Sequence, residues 1–208
     1  MIKVFGYYPS GNSYKVELAL SHLGLPYEFV HLDLLKGATR TPEFLRINPN
    51  GRIPVVEVAP GRFLAESHAI LFYFGERGDL MPRDRWERAL VLQWMCFEQY
   101  HVEPHIGTAR YHLQILGKKP EQCPLDIAGR QNEARRALGL LDAHLSDRKY
   151  IVGGRFTLAD ISLYAYSHVA PEAGVSLDEF THLGTWMARL RELPNHIGMT
   201  RPDLDGKP

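Results

Sequence analysis

The sequence predicts a two-part chain, α/β followed by all-α: a unit of order β-α-β-α-β-β-α over residues 1–77, a linker at 78–82 and an all-helical unit over 83–208. Three observations carry this. Short apolar runs with strand-like alternation are interleaved with helical spacing only in the first third. Pro54 opens the apolar run Val55 to Val58, a place where a strand accepts proline. From Pro82 onward every apolar pattern has helical spacing.

In order along the chain, Ile2 to Phe5 alternates as a short strand and stops at Gly6. Ser13 or Asn12 is placed to cap a helix whose Val16, Ala19, Leu20 and Leu23 share a face, and Gly24 and Pro26 end it. Tyr27 to Leu32 reads as a second strand, parallel to the first because a helix joins them. A short helix around Pro42 to Ile47 leads to the Pro54 strand. Pro60-Gly61 turns the chain into Phe63 to Ala65. A helix then runs from Ser67 to about Arg77. Further on, Trp86, Leu90, Trp94 and Phe97 mark a long helix whose face continues to Tyr111 across a kink at Pro104 or Gly107. Helices also fit Ala128 to Leu145, Leu158 to Val169 and a last one near Leu183 to Leu193. Thr157-Leu158-Ala159-Asp160 has the Thr-x-x-acid form of a helix start, which gives Asp160 a structural role.

Lys plus Arg and Asp plus Glu both number 24 in 208 residues, so no net field recruits nucleic acid or an anionic membrane. No apolar run approaches the ~20 residues of a membrane span, and Met1 leads straight into a strand, so a cytoplasmic protein is expected. Cys96 and Cys123 have no partner at metal or redox spacing. His101, Glu103 and His105 lack the His-Glu-x-x-His order, and no metal site is expected.

The most specific stretch is Asn48 to Val58, Asn-Pro-Asn-Gly-Arg-Ile-Pro-Val-Val-Glu-Val, followed by Glu66-Ser67-His68-Ala69-Ile70. A cis Ile53-Pro54 bond would turn the chain sharply and offer the Val55 backbone to an extended peptide. Ser67 as a helix N-cap, with the first free amides of its helix, makes a site for a carboxylate. The capping-box position is Ile70, so no acidic side chain competes for those donors. Glutathione fits the description of an extended peptide ending in a carboxylate. In these motifs and their order the chain resembles the glutathione transferase superfamily, bacterial cytosolic members in particular. That resemblance implies a thioredoxin-like first domain with a cis-proline, a helical second domain, glutathione as co-substrate without a metal, a homodimer, and a role in detoxification.

Thiols titrate near 8.5, so such an enzyme must favour the thiolate, and each unit of lowering takes about 1.4 kcal/mol of preferential interaction. The loop Tyr7-Tyr8-Pro9-Ser10-Gly11-Asn12-Ser13 is where the donor must sit, and three candidates stand. By resemblance, Ser10 falls where serine-type members place their hydroxyl, Asn12 where other bacterial members place Cys or Asn, and Tyr7 where tyrosine-type members place their phenol. The same residues also read as a turn residue, a helix cap and a strand-end aromatic, respectively. With no cysteine in the loop, attack by the enzyme's own sulfur is disfavoured. The resemblance further assigns Glu66 and Ser67 to the γ-glutamyl end, Val55 to the cysteinyl backbone and Arg52 to the glycyl carboxylate, with Arg40 or Lys36 assisting and Ile53 and Pro54 also among the glutathione-binding residues. It gives Tyr100, His105, Arg110 and Tyr111 to the electrophile. The expected activity is conjugation of a small electrophile or reduction of organic hydroperoxides or disulfides. A glutathione-dependent isomerase or dehalogenase, or a non-catalytic binding protein on the same scaffold, are the alternatives.

Overall fold

A computed structural model describes residues 1–200. It divides into two units, Met1–Gly78 with the described residues 194–200, and Asp79–Leu193. The sequence-derived boundaries do not include this return of the chain to the first unit.

The first unit holds β1 (Ile2–Gly6), α1 (Gly11–His22), β2 (Tyr27–His31), α2 (Pro42–Ile47), β3 (Val55–Ala59), β4 (Arg62–Ala65) and α3 (Ser67–Gly75). The four strands form one sheet in the order β2-β1-β3-β4. β1 and β2 are parallel, Val4 opposite Phe29, as a helical crossover requires. β1 pairs antiparallel with β3, and β3 with β4 through the Pro60-Gly61 turn. This is the thioredoxin-like α/β order expected. Val4, Val16, Leu20, Val55, Val56, Ile70 and Leu71 are fully buried and join the sheet to α1 and α3.

α1 is buried along most of its length, which places two charged side chains in the interior. Glu17 is 7% exposed and accepts a 3.2 Å bond from the Tyr27 hydroxyl. Burial pushes the Glu17 carboxyl up to about 7, and burial beside Glu17 raises the Tyr27 phenol. Lys15 is wholly buried. The returning chain is tied to α1 by the Tyr14 hydroxyl donating to Ile197 O (2.6 Å) and the Ser21 hydroxyl donating to Asn195 O (2.7 Å).

The second unit is helical: α4 (Arg85–Phe97), α5 (Glu103–Arg110), α6 (Ile127–His144), α7 (Leu158–Ser167) and α8 (Thr181–Arg191). The long helix expected from Trp86 to Tyr111 is interrupted earlier than Pro104. A π-helical turn spans Glu98–Val102, after which Pro104 sits in the first turn of α5, where its missing N–H costs nothing. A second π turn, Tyr111–Ile115, ends the segment. Every residue of α7 is buried. Its N-terminus carries the capping box read from the sequence, with Asp160 accepting from Thr157 N–H (2.9 Å) and Thr157 Oγ1 (3.0 Å). Asp160 also accepts from Ile151 N–H (3.1 Å) and Trp186 Nε1–H (2.9 Å), so one carboxylate ties α7 to α8 and to the preceding loop. No helix of the described residues is long and apolar enough to cross a membrane.

Candidate functional site

Two helix N-termini meet in the first unit, at α1 and α3. Ser10 is the N-cap of α1, not Ser13 or Asn12: its extended backbone (φ −78°, ψ 122°) precedes Gly11, and its Oγ accepts from Ser13 N–H at 3.3 Å. Ser13 is instead a buried tie, its Oγ accepting from Tyr7 N–H at 3.2 Å. Gly6 makes this close approach feasible, since a Cβ there would stand 2.7 Å from Ser13 Oγ and 2.8 Å from the Phe29 ring. The cap uses the lone pairs of Ser10 Oγ, and its O–H remains a donor. The amides of Gly11 and Asn12 have no partner within the helix, and no acidic residue occupies its first turn. The end of α1 is therefore a partly exposed, electropositive place suited to a thiolate.

Ser67 is the first residue of α3, and the cap position belongs to Glu66, which corrects the sequence expectation. Glu66 has φ 69° and ψ 115°, a region costly for any residue but glycine, at about 1–3 kcal/mol. Its side chain is exposed and makes no capping bond, so the first amides of α3 stay open to a ligand carboxylate. The Ser67 hydroxyl is buried and donates to Asn12 Oδ1 at 3.2 Å. This bond joins the two helix starts and brings Ser10, Asn12, Glu66 and Ser67 into one site.

The Ile53-Pro54 bond is cis. Val55, however, lies inside the sheet, opposite Phe5 on one side and Ala65 on the other, and is fully buried. Ile53 is half-buried and lies ahead of the first paired residue. Arg52 is exposed, and its C=O accepts from Asn48 Nδ2 (2.8 Å), which fixes the loop that presents the guanidinium. Arg40 reaches the same loop through Asn50 O (3.3 Å). Lys36 is paired with Asp33 at 3.0 Å and exposed. Tyr7 is 4% exposed at the end of β1, its ring 5.4 Å from that of His31, which is the place of a core aromatic.

Two residues of this cluster, Lys15 and His68, carried only a weak signal in the sequence. Lys15 Nζ donates to Asn12 Oδ1 at 2.9 Å and lies 3.5 Å from His68 Nε2 on α3. A lysine at the fifth position of an ordinary helix reads as solvated; its place four residues before the buried Ala19 was the available hint.

In the second unit, Tyr100 is 75% exposed on the π turn, and Tyr111 is also exposed. His105 is half-buried, and burial lowers its imidazole below the ordinary value. Arg110 does not present itself to a substrate. It is 3% exposed and its Nε lies 2.6 Å from Glu172 Oε2, an internal ion pair. His101 lies against the Phe97 ring, and among the described residues no group of His, Cys, Asp or Glu is arranged to hold a metal.

Residues 1–76 match the model of the glutathione S-transferase N-terminal domain and residues 94–194 that of the C-terminal domain. Among curated proteins, the chain is similar to the disulfide-bond oxidoreductase YfcG of Escherichia coli, 30% identical over 89% of this chain and 88% of that one. Among solved structures, it is similar to a possible glutathione S-transferase from Rhodopseudomonas palustris, with TM-score 0.92, 41% identity and coverage of 95% and 97% of the two chains. It is also similar to the transferase URE2P8 of Phanerochaete chrysosporium, solved with oxidised glutathione, with TM-score 0.82, 26% identity and coverage of 93% and 90%. With both domain models matched along the chain and the thioredoxin-like and helical units in place, the protein belongs to the glutathione S-transferase family.

Proposed function

We propose that this protein is a glutathione-dependent enzyme that holds the tripeptide thiol as thiolate at the start of α1 and delivers it to a small electrophile, an organic hydroperoxide or a disulfide. The supporting observation is the convergence of two helix N-termini, both free of acidic side chains in their first turns, across the 3.2 Å Ser67–Asn12 bond. Such a pair suits a ligand with two anionic ends: thiolate at α1, γ-glutamyl carboxylate at α3. In this reading Ser10 O–H donates to the sulfur, and Ile53 pairs with the cysteinyl backbone. Glu66 and Ser67 hold the γ-glutamyl end, and Arg52, aided by Arg40, takes the glycyl carboxylate. Tyr100, His105 and Tyr111 are retained for the second substrate, and Arg110 is withdrawn.

Disulfide reduction is the favoured branch among the proposed reactions. A similar protein is named a disulfide-bond oxidoreductase, another was solved with oxidised glutathione, and the loop from Tyr7 to Ser13 has no cysteine to act in glutathione's stead. The bound thiolate would attack one sulfur of the disulfide, with the other leaving as a thiolate that takes a proton; a second glutathione would then close the cycle as oxidised glutathione. The protein is proposed to work in the cytoplasm as a homodimer.

Calorimetric titration with glutathione, paired with the ultraviolet absorbance of the bound thiolate in wild type and Ser10→Ala, tests the reading. Binding in the micromolar to millimolar range with thiolate at neutral pH is expected. In S10A the thiol pKa should rise by about 1–2 units, the size of one charge-assisted hydrogen bond. Absence of binding at millimolar glutathione would remove the enzyme reading and leave a binding scaffold.

A further inference from the structure

Lys15 has no surface at all, yet its ammonium reaches the two helix starts of the candidate site. An ammonium carries three donors and no acceptor, so only the carbonyl end of the Asn12 amide can face it. Asn12 Oδ1 takes the Lys15 donor at 2.9 Å and the Ser67 hydroxyl at 3.2 Å. Both donors lie on the same side, so the Asn12 Nδ2 group is turned away from them, on a half-buried residue of the first α1 turn. The same ammonium sits 3.5 Å from His68 Nε2 at the start of α3.

We propose that Lys15 is a positioning residue: by locking the Asn12 carbonyl inward it presents the Asn12 amide N–H groups as a second donor to the glutathione sulfur beside Ser10. The proposal rests on the reading of this site as a thiolate site. Without the ammonium, the Asn12 amide can flip and offer its oxygen to the thiolate, a repulsive contact.

The test follows the thiolate absorbance of saturating bound glutathione against pH in wild type, Lys15→Met, Lys15→Leu, Lys15→Arg, Asn12→Ala and the Asn12→Ala/Lys15→Met double variant. Folding is checked by thermal melting, and binding of S-methylglutathione, which has no thiol, is measured alongside. K15M and K15L should raise the bound thiol pKa by about one unit, roughly a tenfold loss of thiolate at neutral pH. Binding of the S-methyl compound should change by less than about threefold, the scale of a site whose remaining contacts are intact. K15R, also a donor-only cation, should restore most of the thiolate. In the N12A background the K15M change should add no further shift. A wild-type titration for folded K15M or K15L would overturn the proposal, as would an equal shift in the N12A background, which would mean that Lys15 acts by its charge alone. Asn12→Asp supplies a measurement independent of any Lys15 variant. Its carboxylate keeps an acceptor toward Lys15 but turns the outward donor into an acceptor, so its thiol pKa should rise at least as far as that of N12A; a wild-type value overturns the proposal. No glutathione binding by wild type would instead overturn the functional reading itself, and this proposal with it.

Discussion

Replacing Asp160 should unfold the second unit well before the first site is disturbed, and the structure sets the size of the effect. The carboxylate is wholly buried and both oxygens are used: Oδ1 by Ile151 N–H and Trp186 Nε1–H, Oδ2 by Thr157 N–H and Thr157 Oγ1. Asp160→Ala strands two backbone amides and an indole N–H, while the threonine hydroxyl can rotate elsewhere. A stranded buried donor costs about 1–3 kcal/mol, and partial relaxation makes three of them worth about 4 kcal/mol. Asp160→Asn keeps the shape and one accepting oxygen. With its NH2 turned toward Thr157, whose hydroxyl can accept, only the Thr157 amide is opposed, so about 2 kcal/mol is expected. Urea unfolding at one fixed protein concentration, followed by tryptophan fluorescence, reads both. Burial holds the Asp160 carboxyl up at about 6 against an ordinary 3.8. Because the folded value is the higher one, the stability this group contributes is full below the unfolded value and is lost as pH rises through about 6. Asn cannot titrate, so the advantage of wild type over D160N should shrink by up to about 3 kcal/mol between pH 4 and pH 7. Loss of less than about 0.5 kcal/mol in D160A, or a greater loss in D160N than in D160A, would refute the assignment of the carboxylate as the acceptor hub.

Glu17 makes a parallel case in the first unit. Its carboxyl is raised to about 7 by burial, so its contribution to stability is full below the ordinary 4.5 and is lost as pH rises through about 7. Glu17→Gln should therefore gain on wild type across that window, by up to about 3 kcal/mol in urea melts at pH 8 relative to pH 4; parallel pH profiles would contradict it. Arg110→Met should cost about 3 kcal/mol by stranding Glu172 inside the unit, and Arg110→Met/Glu172→Met should recover most of it; a double variant no better than the single would show that the pair is not what Arg110 serves. Ser67→Ala should weaken glutathione binding about tenfold, one hydrogen bond's worth, measured by calorimetry, with the bound thiol pKa moving less than in S10A.

Much of this fold was legible because its signals are local. The turn at Pro60-Gly61 and the Thr157–Asp160 box each lie within a few residues of sequence, the parallel β1–β2 pair follows from the single helix that joins its strands, and each is present. The errors fall where a tertiary partner decides. Ser10, Asn12 and Ser13 are all competent caps, and Ser13 lost the role because Tyr7 N–H claims its hydroxyl. Ser67 looked like the cap of α3 until Asn12, from another helix, took its hydroxyl and left Glu66 in the strained position. Val55 followed the right proline but had strands on both sides, which no spacing reveals. Arg110 is a charged residue near exposed tyrosines in sequence, and its burial beside the distant Glu172 is a tertiary matter that spacing does not reveal. The π turn at Glu98–Val102 has no residue signature comparable to a proline or glycine, so the sequence points to a kink at Pro104 or Gly107, both of which follow it.

The tie of the returning chain to α1 bears on how the protein is made. Tyr14 waits for Ile197, 183 residues downstream, and Ser21 for Asn195, 174 residues downstream. At a translation rate of ~5–20 residues per second that is roughly 10–40 s during which the helix carrying the candidate thiolate site is outside the ribosome without its final partners. The first unit is thus the first to be synthesised and the last to be completed, and the helical unit has time to fold in the interval. Nascent chains stalled before residue 194 should show protease protection of the second unit while α1 remains exposed to cleavage.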